Sequence, residues 1–384
     1  MHPALELPEL LGAVLCQVAT DRGVVGPVGK QSGVKRGPDL AKCCLVSRTW
    51  RDEVRGVAKH LALRSTPDRA GLCAALRPWL GLTDLKLEWC SGGPGLPLGG
   101  LALTQLVVLE AVRLTTLVLP PLPLLRSLIV GGCRELTRVG ELSLHPRLEK
   151  VSLTRCKTLR AIPAGLNAVS LVSLDVSGCV AIGCVDAVSR LTALKTLRLS
   201  GLDIDSLDVA LRPLAALTAL DCSWCDGLTN VDVLQFATGL VSLNLTECCL
   251  VDRLDGLACC KNLTELDLVY CEALTTFALN AFLPSLASLT RLDLGGLGEQ
   301  VDNLDGALGA QWQPLLSTLG LSRCHGLSSV AFLREMTALT VLDLSYCVGL
   351  ESLDAVLPDS LGSQDITVAL GWSTATARWP HSPG

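Results

Sequence analysis

Residues 240–248 read Leu-Val-Ser-Leu-Asn-Leu-Thr-Glu-Cys, and residues 263–271 read Leu-Thr-Glu-Leu-Asp-Leu-Val-Tyr-Cys. The common frame is Leu-x-x-Leu-x-Leu-x-x-Cys, offset by 23 residues. Upstream it recurs as Leu217-Leu220-Cys222-Cys225, Leu194-Leu197-Leu199-Leu202, Leu171-Leu174-Val176-Cys179, Leu148-Val151-Leu153-Cys156 and Leu125-Leu128-Val130-Cys133. Earlier still stand Leu82-Leu85-Leu87-Cys90 and a weaker copy, Leu103-Leu106-Val108-Ala111. Downstream come Leu289-Leu292-Leu294-Leu297, Leu316-Leu319-Leu321-Cys324 and Leu339-Leu342-Leu344-Cys347. From 133 to 271 the ninth position advances by 23 six times running, then by 26, 27 and 23.

Fixed-period self-similarity of this length decides an architecture. Leu-x-Leu alternation makes a short strand with its leucines turned to one side, and parallel strands stack about 4.8 Å apart. Twelve units therefore span roughly 55–60 Å. Apolar residues three and six past the ninth, such as Leu136 and Val139 or Leu228 and Val231, close each coil on the opposite side. No unit buries its apolar face alone, so stability comes from neighbours. Composition agrees: hydrophobic residues make up 49% of 384, aromatics only 3%, and there are 18 cysteines, so the core is aliphatic and thiol-rich. The pattern resembles the leucine-rich repeat in its cysteine-bearing variant. That implies an α/β solenoid, a curved parallel sheet of about 12 repeats of 23–27 residues over 82–358. Residues 64–81 form a linker and N-terminal cap, and 359–384 a C-terminal tail.

The cysteines invite a metal or disulfide reading through Cys222-Ser-Trp-Cys225, Cys248-Cys249, Cys259-Cys260 and Cys43-Cys44. However, Cys222 and Cys225 occupy inward positions of one unit, which explains them as core. No metal or cofactor is expected. The five histidines (2, 60, 145, 325, 381) show no partner pattern, and no phosphate loop, nucleophile elbow or metalloprotease motif occurs, so an enzyme is not expected. The net charge of −5 argues against nucleic-acid or membrane binding. Glu6 and Glu9 precede the first basic residue, Arg22, the reverse of a secretory signal. An intracellular setting, cytoplasmic or nuclear, is expected.

Residues 1–63 differ from the repeats, with a glycine-rich basic insert at 21–38. Leu7-Pro8 and Leu10-Leu11 open an amphipathic helix, and Asp39-Leu40 leads to Leu45-Val46-Ser47-Arg48-Thr49-Trp50-Arg51. These two stretches resemble an F-box, with the insert standing where that family has a very short connection. The whole chain to about 357 then resembles an F-box/leucine-rich-repeat protein. The resemblance implies the substrate-recognition subunit of a cullin–RING (SCF-type) ubiquitin ligase. Leu7, Pro8, Leu10, Leu11, Leu45, Val46 and Arg48 would contact a Skp-family adaptor, and the repeats would hold the target. The alternative is a free-standing leucine-rich-repeat interaction scaffold, with the N-terminal helices as a plain cap.

The frame also places the partner-facing residues. At the fifth position stand Asp175, Asp221, Asp267, Asp293 and Asp343. At the eighth stand Trp89, Glu110, Arg155, Trp224, Glu247, Tyr270, Arg323 and Tyr346, with glycines in the remaining four units. Aspartate on an exposed strand is unremarkable for solubility alone. Both tyrosines of the chain at one phase are less easily dismissed, since Trp, Tyr and Arg anchor interfaces. The partner-binding concave face is therefore assigned to Trp89, Arg155, Asp221, Trp224, Asp267, Tyr270, Asp293, Arg323, Asp343 and Tyr346, facing a protein with basic and apolar surface.

Overall fold

The structure, a computed structural model, describes residues 60–64, 82–88, 98–111, 113–308, 315–350 and 366–367. Fourteen parallel strands lie side by side in chain order, from His60–Arg64 to Ile366–Thr367. The leucines set the register: Leu220 lies beside Leu243, and Leu243 beside Leu266. Fourth- and sixth-position residues thus form two continuous buried columns. A slip of one residue would turn a whole column outward, so the pattern specifies the pairing.

The sheet runs further than the twelve frames at both ends. His60–Arg64 pairs in register with Asp84–Glu88, and so overlaps the end of residues 1–63, set apart above from the repeats as an F-box-like helical segment. Ile366–Thr367 pairs with Leu342 and Asp343 from within the assigned tail. The adaptor-contact residues Leu7, Pro8, Leu10, Leu11, Leu45, Val46 and Arg48, together with Trp89, lie outside the described residues.

Why the ninth residue is cysteine is visible in its partners. Cys179 Sγ donates to the Leu153 carbonyl at 2.7 Å, Cys248 to Cys222 at 3.1 Å, Cys271 to Leu245 at 3.1 Å and Cys347 to Leu321 at 2.9 Å. Each acceptor is the sixth-position carbonyl of the coil before. A thiol is small enough for the bend, apolar enough for the core and still a weak donor. Burial pushes the Cys248 and Cys324 thiols up to about 12, and those of Cys225 and Cys347 to about 11. They remain protonated donors at neutral pH.

Opposite the long sheet the coils close in several ways. Thr116–Leu117 pairs with Arg138–Val139 in a second, two-stranded sheet. Later coils use short 3-10 turns, such as Asp186–Arg190 and Asp232–Phe236. The coil after Cys271 instead holds a helix, Thr276–Phe282, whose cap Thr275 accepts the Ala278 N–H at 3.2 Å. Its step of 26 residues accommodates that extra turn. The buried His145 ring lies 3.2 Å from the Leu142 carbonyl and 3.1 Å from that of Pro120, tying neighbouring coils together. Among the described residues, no helix is long and apolar enough to cross a membrane.

Candidate interaction surface

Strand length changes along the solenoid, and the fifth-position side chain accounts for it. Lys86, Val107, Ile129 and Ser152 sit in the middle of five-residue strands. From Ser173–Asp175 onward to Val341–Asp343 the strands have three residues and stop at the fifth position. There, Oδ1 of Asp175, Asp221, Asp267, Asp293 and Asp343 accepts the backbone N–H two residues on, at 2.9–3.2 Å. Asn244 does the same at 2.9 Å without a charge. This local bond competes with the ladder and ends the strand. Arg198 and Gly320, the exceptions, lie between two such strand-enders. Each aspartate is half-buried with one oxygen committed. The acidic row therefore has a structural role that its alternation in sequence did not reveal. Burial raises the Asp293 carboxyl above its ordinary value, and the neighbouring Asp267 adds to it.

The eighth position begins the bend, and its backbone is left-handed in coil after coil. φ is 48° at Glu110, 55° at Arg155, 60° at Trp224, 61° at Glu247, 58° at Tyr270, 60° at Arg323 and 61° at Tyr346. The glycines at this phase, 132, 178, 201 and 296, have φ of 66–72°. Glycine takes this conformation freely, whereas an L-residue forfeits about 1–2 kcal/mol. The four glycines were thus the sequence signal for the backbone, and the seven bulky residues are departures from it.

Three of the bulky side chains lean over the glycine of the next coil. A Cβ on Gly296 would lie 2.3 Å from the Tyr270 ring, one on Gly132 3.0 Å from Glu110 Cγ, and one on Gly178 3.4 Å from Arg155 Cγ. Gly201 follows another glycine and has no side chain over it. The resulting groove, with a volume of about 580 Å³, is lined by Glu110, Gly132, Arg155, Gly178, Gly201 and Trp224 among others. Trp224 is 57% exposed and Tyr346 44%, and the Arg323 guanidinium lies 5.4 Å from the Tyr346 ring centre. Of the candidate residues, then, Arg155, Trp224, Tyr270, Arg323 and Tyr346 share one rim, just past the strand ends. Asp221, Asp267, Asp293 and Asp343 stand beside it on the strands. No group of three or more metal-ligating side chains occurs among the described residues, and Cys222 and Cys225 are wholly buried.

No protein-family model matches the chain, and no curated protein sequence does. Among solved structures it is similar to three internalins of Listeria monocytogenes. Internalin C2 is 24% identical, with a TM-score of 0.39, over 47% of this chain and 74% of its own. Internalin F is 17% identical, TM-score 0.47, over 79% and 88%. The functional domain of InlJ, described as including a cysteine ladder, is 18% identical, TM-score 0.41, over 77% and 69%. The described coils form a leucine-rich-repeat solenoid.

Proposed function

We propose that the chain is a protein-interaction scaffold whose later coils hold a partner on the left-handed rim, through Glu247, Tyr270, Arg323 and Tyr346. One observation carries this: bulky residues persist at positions where glycine would relieve the backbone. Strained positions of this kind are retained where function uses them. The partner should present basic and apolar groups, because residues 161–350 hold 20 acidic against 9 basic side chains. Binding is the whole activity in this reading. The test is co-purification of partners with the full chain and with a Tyr270→Ala, Arg323→Ala, Tyr346→Ala variant. The variant should keep its circular dichroism and lose its partner; a convex-side control, Phe277→Ala, should lose nothing. Equal recovery by all three would contradict the proposal.

A second reading is favoured by Leu7-Pro8, Leu10-Leu11 and Leu45-Val46-Ser47-Arg48, which resemble an F-box. In it the same scaffold delivers its partner to a cullin–RING ubiquitin ligase through a Skp-family adaptor. Adaptor co-purification abolished by Leu7→Ala, Pro8→Ala and Leu45→Asp would support it. An adaptor that never co-purifies would leave the scaffold alone.

A further inference from the structure

Because the strands lie in chain order, charge segregated in sequence is charge segregated in space. Residues 98–160 hold 9 Lys and Arg against 4 Asp and Glu, net +5; residues 161–350 hold 9 against 20, net −11. The change of sign is sharpest at the tenth position, on the outgoing side of the bend. Five consecutive coils of equal length carry Arg134, Lys157, Val180, Asp203 and Asp226 there. All five are exposed, Val180 to 50%. Among the described residues none of the four charged side chains is in an ion pair.

This row reads plus, plus, apolar, minus, minus, and becomes its own complement when reversed. The adjoining eighth-position row of the same coils is Gly132, Arg155, Gly178, Gly201 and Trp224. Reversed, it sets Trp224 against Gly132, Arg155 against Gly201 and Gly178 against itself, large against small. The groove described above is the space those glycines leave. A surface complementary to itself in charge and in relief is what a two-fold interface requires, residue i meeting j while j meets i.

We propose that two copies of this chain pair antiparallel along this flank, about a two-fold axis at Val180. Arg134 then faces Asp226 of the second copy, and Lys157 faces its Asp203. Val180 meets its own counterpart. The match spans four coil spacings, roughly 19 Å. It ends one coil further out, where Glu110 would face Glu247 of the second copy, so the pairing closes as a dimer. It leaves Tyr270, Arg323 and Tyr346 uncovered and does not depend on the partner proposed for them.

Sedimentation velocity of the full chain at about 50 mM and about 500 mM salt tests this, since exposed charge pairs weaken with screening. A dimer is expected at low salt, with association weakened about tenfold or more at high salt. An Arg134→Asp, Lys157→Asp variant and an Asp203→Lys, Asp226→Lys variant should each be monomeric, their rows being all minus or all plus. Mixed one to one, they should form a heterodimer. Gly132→Trp, at a left-handed position of the kind that holds Trp224 elsewhere, should fold and block the dimer. A monomeric wild type at low salt would overturn the proposal. So would charge variants that dimerise alone as wild type does, or a mixture of monomers that fails to associate.

Discussion

At Trp224 the ordinary ranking of alanine over glycine should reverse. The ring is 57% exposed and the backbone φ is 60°. Replacing Trp by Ala or by Gly removes nearly the same contacts, so the two variants differ almost wholly in the backbone. At an ordinary site glycine is worse than alanine by about 0.5–1 kcal/mol, from the entropy it loses on folding. A left-handed backbone costs alanine about 1–2 kcal/mol that glycine does not lose. The balance puts Trp224→Gly ahead of Trp224→Ala by about 0.5–1 kcal/mol. Lys195 is exposed, and its φ is not among the positive ones; there the order should be alanine first, by about the same amount. Urea unfolding at equal slope measures both. With a slope of about 2 kcal/mol per molar, the midpoints should separate by about 0.3–0.5 M in opposite directions. If alanine equals or exceeds glycine at Trp224, the rim is not held in the strained backbone on which the functional argument rests.

Asp221→Asn should change stability by less than about 0.5 kcal/mol, because Asn244 already makes the same bond, whereas Asp221→Ala should cost about 1–2 kcal/mol. Chemical denaturation of the two variants reads this directly. Thiol labelling of the native chain at about pH 8 should modify the exposed Cys184 and Cys259 and spare Cys225, Cys248, Cys324 and Cys347, buried thiols that titrate higher than a free one. The same shifts predict loss of stability in alkali. Folded pKa values of about 11–12 lie above the unfolded value near 9, so the unfolded chain releases protons first. The contribution of these four thiols is therefore fully present below pH 9 and falls by about 1.4 kcal/mol per pH unit for each as pH rises toward those values. Fluorescence-monitored stability from pH 8 to 11 checks it, and a flat profile would contradict it.

The solenoid was legible because a period of 23 repeats apolar residues that must meet their copies. Its ends were harder to read. Leu61-Ala62-Leu63 carries the strand alternation but is followed by Thr66 at the ninth position of the frame, where the repeats have cysteine or an apolar residue, and Ile366–Thr367 is only two residues long. The rim residues were found through the scarcity of aromatics, although the four glycines beside them also announced the left-handed backbone. The role of the aspartates was not legible. A carboxylate on an exposed strand and one that ends a strand have the same sequence, and only the Oδ1 to N–H distance separates them. Likewise, the reversible charge row emerges only once coil order is known to be spatial order.

The central claim is that the later rim meets a protein partner. A photo-crosslinking residue placed singly at Tyr270 or Tyr346, and at Lys261 or Phe277 as controls away from the rim, tests it most directly. Adducts with one partner protein from the rim positions alone are expected. Adducts from the control positions, with none from Tyr270 or Tyr346, would contradict the account.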